Sequence, residues 1–208
     1  MIEAVAAQRA AGLIGEARKK KRTVGPFPTH CEPHNEADGY AIQSALNGWL
    51  AQTGSGSLVG YKVGCTTPVM QDIVGVSNPA YGGIMTTGTN LGCAEFAADD
   101  FQNPGIECEV AVRISTDTEV GCADYDRSRI AKHIGACMAA IEIVDNRYGD
   151  FTTAGAPLMI ADNFFHAACV LGPENEEWKD LDLAALEGCT IIDGETVGTG
   201  LGLSLIHI

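Results

Sequence analysis

Two glutamates alternate with apolar residues in Ile106-Glu107-Cys108-Glu109-Val110-Ala111-Val112-Arg113-Ile114, and a third, Glu142, sits inside a second apolar run, Ala139-Ala140-Ile141-Glu142-Ile143-Val144. Alternation with period two is strand spacing. Ile106, Cys108, Val110, Val112 and Ile114 then share one face, and Glu107 and Glu109 share the other, roughly 7 Å apart. Two arrangements satisfy this pattern. In one, the strand is half-wet and its glutamates face water. In the other, the repelling charges are neutralised by a hard divalent cation such as Mg2+ or Mn2+, which takes oxygen ligands. Glu142 favours the cation site, because a carboxylate in a run otherwise suited to burial needs a partner.

The rest of the composition limits the alternatives. A chain of 208 residues suits one large domain, or one domain with a small helical lobe. With 27 acidic against 13 basic side chains and a formal charge of -14, it does not read as a general nucleic-acid binder, which needs clustered Lys and Arg for phosphate contacts. The one basic run, Arg18-Lys19-Lys20-Lys21-Arg22, ends a predicted helix and reads as a solvated last turn complementing the helix dipole. No apolar run approaches the roughly 20 residues of a membrane span, and no secretory leader is recognisable, so we expect a cytoplasmic protein with no membrane partner. The eight cysteines contain no Cys-x-x-Cys pair, which argues against a structural zinc site. Several lie in apolar runs, as free thiols in a reducing compartment do.

Along the chain, Ile2 to about Lys21 reads as an Ala-rich helix closed by Thr23-Val24-Gly25-Pro26-Phe27-Pro28. A second helix is predicted over Glu36 to Gln52, with Ala37, Tyr40, Ala41, Ala45, Leu46 and Trp49 on one stripe. The Gly- and Ser-rich Thr53–Ser57 then marks a boundary, giving a helical N-terminal lobe over 1–56 and a mixed-sheet domain over 57–202. Strands are predicted at Leu58–Val63, across Tyr81–Gly92, through the glutamate pair, and at Ile141–Val144, Ala167–Leu171 and Thr190–Ile192. Arg127–Met138 reads as a helix. The fold class is α+β. Residues 203–208, Leu-Ser-Leu-Ile-His-Ile, read as a translated sequencing adapter, so the natural frame is expected to be cut at about Gly202 and His207 is no candidate ligand.

One lysine interrupts an apolar, glycine-flanked strand in Gly60-Tyr61-Lys62-Val63-Gly64. It is either a snorkelling lysine at a strand end or a desolvated group fit for proton transfer. Together with Gly39-Tyr40-Ala41-Ile42-Gln43, Pro79-Ala80-Tyr81-Gly82, Glu107-Cys108-Glu109, Ala140 to Arg147, Ala161-Asp162-Asn163 and Val170-Leu171-Gly172, this segment resembles the 2-keto-4-pentenoate hydratase branch of the fumarylacetoacetate hydrolase superfamily. Order and spacing carry the resemblance more than any single segment does.

The resemblance implies a fumarylacetoacetate-hydrolase-like mixed β-sheet roll. It also implies a Mg2+ or Mn2+ site at Glu107, Glu109 and Glu142, with Lys62 in proton transfer and Tyr81, Asn163 and His166 against substrate. The periodicity of the second run agrees: Asp145 falls on the face opposite Glu142 and is expected to pair with Arg147 or cap the next loop. The implied activity is hydration of a small 2-oxo-enoic acid, such as 2-hydroxypenta-2,4-dienoate from aromatic ring cleavage, by a homo-oligomer. Alternatives are a 2-oxo acid decarboxylase or carbon–carbon hydrolase of the same superfamily, or a non-catalytic metal-binding relative. Two departures feed that last alternative. Ala80 stands where such hydratases usually carry an acid, and Phe164-Phe165-His166 stands where small polar residues are usual, which predicts a bulkier, more apolar pocket.

Overall fold

The computed structural model describes residues 1–119, 121, 125–150 and 154–201. Cys122, Gly202 and the presumed adapter residues 203–208 lie outside them.

Helix α1 (Ala4–Lys19) and helix α2 (Glu36–Gln52) pack against each other. Ala6, Ala7, Ala10, Ala11, Ile14 and Ala17 recur at three- and four-residue steps and are all buried, so small side chains let the helices approach closely. Asn35 caps α2 by accepting from the Asp38 amide at 3.0 Å. Ile14, Ile42 and Leu46 are fully buried, each worth about 1.5–3 kcal/mol of transfer free energy. The second helix also packs on helix α5 (Gly155–Ala161) and on strand β2 (Ala80–Met85), so Met85 and Ala161 join this core.

Strand β1 (Leu58–Gly64) pairs antiparallel with β2, setting Lys62 opposite Gly82. Helix α3 (Pro68–Val74), not anticipated from the sequence, follows β1. Thr67 caps it, Pro68 opens it, and Gly75 closes it at φ +80°. A mixed four-stranded sheet holds β3 (Thr89–Leu91), β6 (His166–Leu171), β5 (Ile134–Asp145) and β4 (Pro104–Ile114) in that order, with only the β3–β6 pair parallel. A separate hairpin joins β7 (Glu187–Ile192) to β8 (Glu195–Leu201) through Asp193-Gly194, both at positive φ. The expected α+β class with a mixed sheet is therefore present.

One predicted element is corrected. The helix expected over Arg127–Met138 is only the four-residue α4 (Arg127–Ile130), and Gly135 to Met138 belong to β5. An apolar run such as Gly135-Ala136-Cys137-Met138-Ala139-Ala140 fits either period. Pairing decides it, since β4 presents a partner from Pro104 to Ile114, with one register shift between Arg113 and Ile114. The basic run also differs from expectation. Lys20 and Lys21 are solvated, pairing with Glu16 and Asp100, but Arg18 turns inward. It continues the buried stripe of Ala7, Ala11 and Ile14.

Candidate metal centre

Residue spacing on β4 puts Glu107 and Glu109 on one face, and the β4–β5 register sets Glu107 directly opposite Glu142. The three carboxylates converge, with one oxygen from each lying within 4.8 Å of the others. Asp145 points away as predicted. It binds Arg147 Nη1 at 3.0 Å and accepts the amides of Gln102 and Asn103.

Lys62 enters this cluster from β1. Its Nζ lies 2.7 Å from Glu142 Oε2 and 3.9 Å from Glu107 Oε2, and donates to the Phe164 carbonyl at 3.4 Å. The side chain is only 12% exposed, so this is an inward lysine and not a snorkelling one. His166 holds the other oxygen of Glu142, with Nδ1 2.7 Å from Oε1.

The charges sort by environment. Burial, reinforced by the Glu142 and Glu107 carboxylates, pushes the Glu109 carboxyl up to about 8. Burial also raises Glu107, partly offset by Lys62. Burial acts to raise Glu142 too, but the His166 hydrogen bond and the Lys62 ammonium outweigh it, and the group titrates below its ordinary value. Burial lowers His166 against the pull of Glu142. The ring is then neutral near pH 7 and donates from Nδ1 to an ionised Glu142, leaving the buried Nε2 as an acceptor with no protein partner among the described residues. Three oxygen donors, one of them raised by burial and by its carboxylate neighbours, match the donor set of a hard divalent cation.

The segment beneath the cluster is unusual. Asn163, Phe164 and Phe165 all lie at positive φ, +52°, +49° and +63°, a left-handed turn made without glycine. Such a conformation costs roughly 1–2 kcal/mol per residue, so the surroundings must hold it. Asp162, fully buried at the start of the turn, is bound by Arg147 Nη2 at 3.0 Å and by Arg18 Nε. Arg18 also donates to the carbonyls of Asp162 and His166 at 2.8 and 2.9 Å. Gly82 makes room from above: a Cβ there would stand 2.5 Å from the Asn163 carbonyl oxygen, which backbone cannot yield to.

A cavity of about 1270 Å³ opens over the site, with Lys62, Glu109, Glu142 and His166 among an otherwise mainly apolar lining. Not every predicted residue reaches it. Tyr81 is off the lining and stacks on Tyr40, with ring centroids 4.5 Å apart. Asn163 is buried and off that lining, accepting from the Gly83 amide and donating to Asn47, each at 2.7 Å. The bulky pocket expected from Phe164 and Phe165 is also corrected. Both rings point into a core with Cys65, Ala80, Met159 and Ile160, and only the Phe164 carbonyl reaches the cluster. Arg18 was missed by sequence reasoning, although its helical register with Ile14 was a usable signal.

No protein-family model matches the chain. It is 29% identical over 199 residues to the 2-keto-4-pentenoate hydratase of Paraburkholderia phymatum, covering 94% of this chain and 73% of that protein. The same identity and coverage relate it to the 2-keto-4-pentenoate hydratase of Burkholderia vietnamiensis. Among solved structures, 4-oxalocrotonate decarboxylase from Pseudomonas putida G7, complexed with magnesium and adipate, superposes with a TM-score of 0.86 at 21% identity. That match covers all of this chain and 77% of that one. Among the described residues, no helix is long and apolar enough to cross a membrane.

Proposed function

We propose, from the likeness to 2-keto-4-pentenoate hydratases, that the chain is a divalent-metal-dependent hydro-lyase. It adds water to a small 2-oxo-enoic acid such as 2-hydroxypenta-2,4-dienoate, an intermediate of aromatic catabolism. The observation that carries the mechanism is the wedge of Lys62 between Glu142 and Glu107 in a three-carboxylate cluster that opens on the cavity.

Glu107, Glu109 and Glu142 would hold the metal, with Mg2+ or Mn2+ the cations whose preference for oxygen ligands fits. Bound there, the cation supplies Lewis-acid polarisation of the 1-carboxylate and 2-oxo oxygens of the substrate. The chain's own groups do the rest. The Lys62 ammonium gives a proton to the far end of the diene and regains one from the 2-hydroxyl, giving the conjugated 2-oxo-enoate; water then adds its hydroxyl at C4 and its proton at C3. Neutral His166 fixes the orientation of Glu142 without adding charge. The apolar cavity wall takes the hydrocarbon tail and limits competing water.

A substrate with a second carboxylate is less well served. Arg113, the cation farther along that wall, is already held by Glu174 through Nε and Nη2 at 2.7 and 2.8 Å. This supports a monoacid over the dicarboxylate of a 4-oxalocrotonate-type decarboxylation. The test is a mass-spectrometric product assay with Mg2+, offering freshly made 2-hydroxypenta-2,4-dienoate and 2-oxohex-3-enedioate in parallel. Gain of water abolished by chelator is expected; loss of CO2 from the diacid would move the chain to the decarboxylases, and no change in either would sink the substrate class.

A further inference from the structure

We infer that Arg18, on the first helix and 144 residues from Asp162 in sequence, is a positioning residue for the metal-binding cluster. The inference rests on the metal-site reading above. A single guanidinium grips both ends of the left-handed turn: Nη2 takes the Asp162 carbonyl, Nε the Asp162 carboxylate, and Nη1 the His166 carbonyl. Between those fixed points lie Asn163, Phe164 and Phe165, whose positive φ values a free chain would abandon. Two of the turn's contacts go to the cluster. The Phe164 carbonyl receives Lys62 Nζ, and His166 Nδ1 binds Glu142 Oε1.

Asp162 has a second cation in Arg147, so its charge does not require Arg18 for neutralisation. What Arg18 alone supplies is the span from residue 162 to residue 166, which only a planar, multi-donor group can bridge. Lysine in its place keeps the charge and loses the bridge. Partners that orient a metal-ligating side chain usually change metal affinity ten- to hundredfold when removed.

The experiment uses the full chain with Arg18→Lys and Arg18→Ala, each checked for folding by circular dichroism, and reads Mn2+ binding by the electron paramagnetic resonance of free Mn2+. About a tenfold or greater rise in the Mn2+ Kd is expected for folded Arg18→Lys. Guanidinium at tens of millimolar, refilling the space in Arg18→Ala, should restore affinity to within about threefold of the parent chain. A purely structural contribution would lower the unfolding temperature without that rescue. If folded Arg18→Lys binds Mn2+ within twofold of the parent, the inference is overturned.

A second readout needs no metal. The 15N shifts of His166 should report an Nδ1-protonated neutral ring in the parent and a tautomer mixture in Arg18→Lys; identical spectra would overturn the inference. Should the parent itself take up no Mn2+, the metal-site reading fails, and the His166 spectra still decide the clamp.

Discussion

Metal uptake should expel a proton from Glu109. In the metal-free chain that carboxyl titrates at about 8, because burial and the Glu142 and Glu107 charges disfavour its ionised form. A metal ligand must be deprotonated, so cation and proton compete for the same oxygen. The sign follows: the group's value lies above its ordinary one, it is mostly protonated at neutral pH, and affinity rises with pH until the carboxyl is ionised unaided. The competing-proton factor is 1 + 10^(8 − pH), about 100 at pH 6, about 11 at pH 7 and about 2 at pH 8. The apparent Mg2+ Kd should therefore fall about fiftyfold from pH 6 to pH 8 and change little above pH 9. Glu142, already held ionised, adds nothing to this slope, and Glu107, also raised, can only steepen it. Isothermal titration calorimetry in two buffers of different ionisation enthalpy measures the proton count directly. About 0.9 proton released per Mg2+ from Glu109 is expected at pH 7 and about 0.1 at pH 9. A Kd unchanged within twofold between pH 6 and pH 8 would refute the account of the site's electrostatics.

Glu109→Gln removes one oxygen ligand charge and should weaken Mg2+ binding by more than about tenfold and abolish turnover in a folded chain, and unchanged binding by calorimetry would remove Glu109 from the site. Lys62→Met should bind Mg2+ as tightly as the parent or more so, since the ammonium now holding Glu142 and Glu107 is gone, while product formation falls at least about a thousandfold; full activity would refute its role in proton transfer. Gly82→Ala forces a methyl against the Asn163 carbonyl and should cost about 1–3 kcal/mol in urea unfolding, with metal affinity falling as the turn shifts. At position 164 the usual ranking should invert, with Phe164→Gly about 1 kcal/mol more stable than Phe164→Ala, because both lose the ring and only glycine is relaxed at φ +49°; alanine equal or better would deny the left-handed turn.

What could be read from the sequence divides along lines of interaction range. Strand alternation is local, so Glu107 and Glu109 sharing a face was legible, as was Asp145 facing away from Glu142. The bounds of the second helix were legible, but its buried stripe was misplaced: Ile42, Leu46 and Leu50 are its buried apolar residues, whereas Ala37 is exposed and Tyr40, Ala41, Ala45 and Trp49 are only partly buried. Convergence of Glu142 on the pair was suggested by burial but depends on the β4–β5 register, which no local pattern states. The β5 segment before Ala139 misled because its small apolar residues fit both periods, and the decision came from partner residues 20 to 27 positions earlier. Two misses had local signals that went unused: Thr67-Pro68 with Gly75 for α3, and Asp193-Gly194 for the last hairpin. The left-handed turn had only a weak one, since Asn163 tolerates positive φ but neither phenylalanine favours it. It exists because Arg18, Arg147 and Gly82 converge on it from three other elements.

That origin changes what the two departures from the hydratase pattern mean. Ala80 and the phenylalanine pair suggested a remodelled or inactive pocket, and with it a metal-binding relative that has lost catalysis. Their side chains instead pack on one another with Ile160 beneath the sheet, off the cavity wall. Ala80, itself 1% exposed, sits where a carboxylate would need a buried partner, and the aromatic rings fill that space with apolar volume. The substitutions are therefore coupled to each other and to the support of the turn, while Lys62, Glu109 and Glu142 line the cavity with Glu107 beside them in the same cluster. A scaffold that had abandoned chemistry would have no reason to keep a buried lysine 2.7 Å from a carboxylate at the cost of desolvating both, nor to hold three strained residues so that a carbonyl can reach it. The expense is rational only if the cluster acts on something that enters the cavity.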